Sequence, residues 1–147
     1  MPTQPRPEQL QNFSEKAPEG PIYMLNLLKF QERAEYADGR ETELSGAEAY
    51  GLYGAAVRKI VEGFGGQFHF FGHCNALVIG DGELAWDAVW IMEYPSLEAF
   101  QGMVGSSEYG DIHVHREAGL DHQLLINCLS PEQAMAVAQA AAQSASE

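Results

Sequence analysis

A chain of 147 residues, 46% hydrophobic and 20% charged, has the length and make-up of one globular domain, which excludes extended disorder, collagen and a disulfide scaffold. Eight Lys and Arg against twenty-one Asp and Glu give a formal charge of −13, and only Arg58-Lys59 are adjacent among the cations. Nucleic acid and anionic membrane surfaces both demand clustered cations, so neither is expected as a partner.

In chain order, residues 1–20 are polar and proline-rich and read as an arm, with one short helical turn at Pro7–Phe13. The first ten residues lack the apolar run of a secretory signal, and no window reaches the ~18 apolar residues of a membrane span. A cytoplasmic protein is expected. Ile22–Phe30 is almost wholly apolar, bounded by Gly20-Pro21 and a charged stretch, and predicts a buried strand. Gln31–Leu44 is polar with an Asp38-Gly39 turn signal and predicts a surface loop.

Ser45 with Glu48 makes a capping box that opens a helix running to about Phe64. Its apolar stripe is Ala49, Tyr53, Ala56, Val57, Ile60 and Phe64, and Gly65-Gly66 ends it. Gln67–Ile79 predicts a strand kinked at Gly72 and the polar His73-Cys74-Asn75, closed by the turn Gly80-Asp81-Gly82. Trp86–Tyr94 is its hairpin partner. After Pro95-Ser96 comes a helix burying Leu97, Phe100 and Val104, then a helical turn or short helix over Glu108–Gly119. Gln123–Leu129 alternates as a last strand. Ser130-Pro131-Glu132-Gln133 opens a weakly amphipathic, alanine-rich helix over Glu132–Gln143, a docked arm or a fraying tail. Cys74 and Cys128, far apart and in no Cys-x-x-Cys pair, read as small buried hydrophobes.

The order β, α, β, β, α, β is the split βαβ or ferredoxin-like arrangement, an α+β class with a four-stranded antiparallel sheet and helices on one face. If Leu25, Leu27, Val89, Ile91, Leu124 and Ile126 point at the helices, alternation sends Met24, Asn26, Leu28, Trp90, Met92, Gln123, Leu125 and Asn127 to the opposite side. That side is too apolar for water, and a homodimer stacking two sheets would cover it.

The strand Pro21–Phe30, Gly65-Gly66, the run Trp86–Ser96 with Phe100, Ser107-Glu108-Tyr109 and Arg116 together resemble domain-of-unknown-function family 1330, DUF1330, over residues 21–129. The resemblance implies a dimeric α/β barrel, in a superfamily that also holds cofactor-independent monooxygenases, muconolactone isomerase-like enzymes and haem-binding chlorite dismutase relatives. It transfers no established reaction. Residues 1–20, the Gln31–Leu44 insertion and residues 130–147 depart from the short members of that family, and the arm and tail are positioned to plug a cavity.

Among candidate sites, Asn26, Gln123 and Asn127 stand at inward strand positions beside Met24, Trp90 and Met92, as in a mostly apolar small-molecule pocket with a few fixed amides. The alternative is that these amides bond one another or bridging water across the dimer interface. Tyr23, Tyr50 and Tyr53 divide between core and pocket in the same way. Arg116 either clamps a ligand carboxylate at the cavity mouth or pairs with Glu117 or Asp111. His69 and His73 share a strand parity around Phe71 and form a candidate acid–base pair. His113 and His115 face apart on a helix, with Asp111 and His115 as a surface ion pair, so no metal site is expected. No nucleophile elbow, phosphate loop or dinucleotide fingerprint is present.

These features lead us to expect a homodimeric barrel binding a small organic molecule in an apolar cavity between sheet and helices, with no cofactor. The alternative is a cofactor-independent monooxygenase or isomerase acting on a small aromatic or lactone-type substrate. There Asn26, Trp90 and His73 would orient the substrate and move the proton, a role that rests on superfamily analogy.

Overall fold

The computed structural model describes residues 2–146. In chain order its elements are α1 (Pro7–Lys16), β1 (Ile22–Phe30), α2 (Gly46–Gly63), β2 (Gln67–His73), β3 (Ala88–Tyr94), α3 (Leu97–Val104), α4 (Ser107–Gly119), β4 (Leu120–Cys128) and α5 (Pro131–Ala145). The strands form one antiparallel sheet in the order β2-β3-β1-β4. This is the ferredoxin-like α+β arrangement that the element order predicts.

The local starts and stops follow from side-chain chemistry. Glu48 N donates to Ser45 Oγ at 3.1 Å and Ser45 N to Glu48 Oε1 at 2.9 Å, the reciprocal pair that begins α2. Gly65, at φ +83°, reverses the chain after it. Ser130 and Gln133 repeat the capping box at α5, with Pro131 in the first turn. Helix α1 extends beyond the expected turn to Lys16, and its Phe13 packs edge-on against Phe100 at 5.9 Å.

Residues directly opposite in an antiparallel pair share a face. Met24 pairs with Met92 and Asn127, Asn26 with Trp90 and Leu125, and Leu28 with Ala88 and Gln123. On this face Met24, Leu28, Trp90, Met92 and Tyr94 form the core with Tyr50, Tyr53, Val57 and Val61 of α2. The expected orientation of the sheet is therefore reversed. Met24, Asn26, Trp90, Met92, Gln123 and Asn127 face the helices, while Leu25, Leu27, Val89, Ile91, Leu124 and Ile126 face away. Both sets are apolar, so alternation decides which residues share a face and not which face a helix covers. Shape decides that: the Trp90 indole lies against Gly54 of α2, where a Cβ would collide with the ring. The outer face is left open, with Leu124, Ile126 and Phe70 each between 42% and 53% exposed.

Other boundaries also shift. Strand β2 stops at His73, and residues 74–87 form a loop in which Val78 and Ile79 are almost fully exposed. The pairing ends at Asp87, whose carboxylate accepts from Phe30 N at 2.9 Å and whose N–H donates to Leu28 O. The register shift falls at His69, between Phe68 and Phe70, and not at Gly72. Helix α4 is a full 13 residues and runs straight into β4, which begins at Leu120. Helix α2 buries Tyr50 and Val61, leaving Ala56, Ile60 and Phe64 half-buried, and α3 buries Met103 where Val104 was expected. Within the 31–44 loop, Ala34 and Tyr36 are buried against Ala49 and Ala118 in a small second core. Both cysteines are free thiols and only half-buried. Helix α5 buries no residue. Among the described residues no helix is long and apolar enough to cross a membrane.

Candidate functional site

The helix-side face of the sheet is only partly filled by α2. Helices α3 and α4 and the arm close over the remainder, enclosing a cavity of about 860 Å³ between them and strands β1, β3 and β4. Met24, Asn26, Met92, Gln123, Asn127 and Arg116 all line it. These six sequence-predicted residues are brought together because the register places the amides and methionines on one face and α4 delivers Arg116 to its rim.

The polar groups are linked. Arg116, 8% exposed, donates from Nη2 to Gln123 Oε1 at 2.5 Å and to Thr3 O at 2.6 Å. Gln123 Nε2 donates onward to Asn26 Oδ1 at 3.4 Å. Asn26, 6% exposed, reaches only the Met24 and Trp90 carbonyls, at 3.4 and 3.5 Å, which are long, weak bonds. Asn26 and Gln123 thus bond each other within one chain, on the helix side of the sheet and not across an interface between copies. Asn127 turns instead to Tyr23 O at 3.3 Å. Neither alternative partner of Arg116 is used: Glu117 lies 3.5 Å from His113 Nδ1 and also accepts from Gln4, and Asp111 is exposed. Nη1 of Arg116 is buried with no acceptor among the described residues.

Several cavity residues escape the sequence reading. Tyr109 and His113 of α4 and Met103 of α3 are these, and they form the roof together with the arm from Pro2 to Lys16, which the sequence offers as a plug. The Tyr53 and Tyr109 hydroxyls meet at 3.1 Å, and burial raises the Tyr53 hydroxyl well above its ordinary pKa. Burial and the nearby Arg116 charge depress the His113 pKa, partly offset by Glu117. Gln123 N donates to Pro2 O at 3.3 Å, so the arm runs along the β4 edge as well as over the cavity. The interrupted apolar pattern of α4 carries no signal that pointed to Tyr109 and His113.

The remaining candidates lie elsewhere. Trp90 is buried beside the cavity wall, packed on Tyr50, Phe68 and Phe71, and its Nε1 has no acceptor among the described residues. His73 is exposed at the end of β2, its ring against Phe71 at 5.2 Å, and does not line the cavity. The bulge at His69 breaks the parity expected of the two histidines. His69 turns to the outer face, where it stacks on Tyr23 and meets Glu93 at 2.9 Å. The Tyr23 hydroxyl and the His69 ring beside it hold the Glu93 carboxyl below its usual range. His115 bonds the Tyr36 hydroxyl at 2.8 Å and not Asp111. Among the described residues no three His, Cys, Asp or Glu side chains converge as a metal site.

Several known proteins are similar to this chain. The family described as DUF1330, a domain of unknown function, matches residues 40–127, from the loop after β1 to the penultimate residue of β4. The RPA0582 protein of unknown function from Rhodopseudomonas palustris is 36% identical, covering 87% of this chain and 97% of that one, with a TM-score of 0.76. The methylated RPA0582 protein is 39% identical over 87% of this chain and 95% of that one, with a TM-score of 0.77. A DABB-family protein with a ferredoxin-like fold from Mesorhizobium loti is 10% identical, covers 76% of this chain and 98% of its own, and has a TM-score of 0.47. No curated protein matches the chain.

Proposed function

This chain belongs to the DUF1330 family, and we propose that it is a homodimer that binds a small organic molecule in the cavity roofed by α3, α4 and the arm. The observation that carries this reading is the cavity itself. At about 860 Å³ it falls within the range of small-molecule sites, and its lining is mostly methionine, aromatic and aliphatic side chains, with the linked polar groups Arg116, Gln123 and Asn26 set among them and Asn127, His113 and Lys16 as further polar members. Apolar walls give affinity through burial, and a few fixed donors and acceptors orient what binds.

The dimer is supported by the opposite face of the sheet. Leu25, Leu27, Val89, Ile91, Leu124 and Ile126 make a continuous apolar surface that no described element buries. A two-fold axis through such a surface places the same residues against themselves and removes them from water at both copies.

Native mass spectrometry of freshly purified protein tests both parts. The expected spectrum is a dimer with additional mass from a retained small molecule. A monomer overturns the dimer. A bare dimer that takes up no compound from a library of apolar fragments overturns the ligand site.

A further inference from the structure

We propose that the ligand is a monocarboxylic acid, its carboxylate bound by Arg116 in place of the Thr3 carbonyl and its apolar body lying against the tyrosines and methionines of the cavity. This rests on the reading of the cavity as a ligand site. A guanidinium is always charged and is costly to bury unless an anion or a full set of acceptors meets it. Arg116 has neither. It is 8% exposed, Nη2 reaches only the neutral Thr3 and Gln123 oxygens, and Nη1 is buried with no acceptor among the described residues.

The chain has twenty-one acidic side chains, so the lack of an internal counter-ion is not a shortage of carboxylates. Glu117, the acid one position along α4, turns to His113 and Gln4. A cation kept free of anions at the wall of an apolar cavity is placed to receive one from outside. The planar fork of a guanidinium matches the two oxygens of a carboxylate, which engage both terminal nitrogens at once, whereas the Thr3 carbonyl offers a single oxygen to one.

Thr3 is also the partner most easily moved. It belongs to the arm before α1, held near Arg116 by the bond from Gln123 N to Pro2 O at 3.3 Å and by the contacts of the Gln4 amide at 3.2 and 3.4 Å. The charge of the ligand is limited by the protein around it. A net −13, with Arg116 the buried cation of the cavity and Lys16 exposed to water on the arm, favours a single negative charge and repels polyanions. Tyr50, Tyr53, Met92 and Tyr109 beyond the guanidinium fit an alkyl or aromatic body.

The test is calorimetric titration of the full chain with phenylacetate and hexanoate, each against its uncharged amide. The acids are expected to bind at least about tenfold more tightly than the amides, and Arg116→Gln to level the two. Should that variant fail to fold, nitrogen NMR of the unaltered protein reads the same contact. The Arg116 guanidinium resonances should shift with acid and stay still with amide. Amides that bind as well as acids, a preference that survives Arg116→Gln, or guanidinium resonances that ignore the acid would overturn the acid assignment and leave the cavity as a site for neutral molecules. No binding of either acid or amide at millimolar concentration would overturn both.

Discussion

Asn26 sits at the middle of the central strand β1 with its amide almost wholly buried and no hydrogen bond shorter than 3.4 Å. A buried amide held this loosely retains much of its desolvation cost, and that cost is recovered when a ligand supplies a better partner. Arg116 is in the same condition, and Gln123 joins the two. His113, on the same helix as Arg116, carries a pH signature. Its pKa lies below the ordinary 6.5 because burial and Arg116 disfavour the imidazolium. The unfolded chain therefore takes up this proton at higher pH than the folded one. The contribution to stability is complete above 6.5 and is lost as the pH falls through the folded value. Urea denaturation from about pH 8 to 5.5, where most carboxylates stay ionised, should show stability falling less steeply in His113→Gln than in the parent. Equal slopes would mean that His113 is solvated in both states. Residue identity at the sheet was legible in the sequence, since alternation grouped Met24, Asn26, Met92, Gln123 and Asn127 correctly. His73 was not separable from them, because the bulge at His69 puts it opposite Ala88 on the same face, and only its place at the end of the edge strand β2 keeps it from the cavity.

At the scale of elements, starts and stops are set locally and crossings are not. The capping boxes at Ser45 and Ser130 involve neighbours three residues apart, so sequence alone locates the beginnings of α2 and α5. The crossing of α2 over α4 depends on two glycines 73 positions apart. A Cβ on Gly119 would run into Gly46 O and Tyr50 N, and one on Gly46 into the backbone of Gln31. Backbone on backbone leaves no side chain able to give way. Gly119→Ala is therefore expected to cost about 3 kcal/mol or more in chemical denaturation, although alanine is the better helix former. A change under about 1 kcal/mol would show that the helices separate freely. The arm is the element least visible beforehand. Its prolines and charges read as a lead-in, yet α1 is ten residues long and packs Phe13 on Phe100, a contact between positions distant in sequence.

The whole molecule presents two apolar sheet faces and the helices to cover one. Charge and composition already discouraged nucleic acid and anionic surfaces as partners, leaving a second copy as the natural cover for the other face. Ile91, half-buried on the outer face and paired with Leu25, is a position where a charge would be unpaired in a dimer and hydrated in a monomer. Ile91→Glu is expected to shift light-scattering mass from dimer to monomer with little change in the cavity, which Ile91 does not line. A parent protein that is already monomeric, or a variant that remains dimeric, would place the interface elsewhere.

Composition, strand periodicity and capping chemistry were enough to determine an α+β chain with four antiparallel strands, the residues grouped on each face and the starts of the two best-capped helices. Each of these depends on interactions within a few residues or on a repeat of two. Which face the helices cover, the roof of Tyr109 and His113, the placement of the arm and the unpaired state of Arg116 were decided only by the tertiary structure. They turn on volume and on contacts across more than a hundred residues, such as Thr3 with Arg116, where no local propensity distinguishes one packing from its mirror on the other face of the sheet.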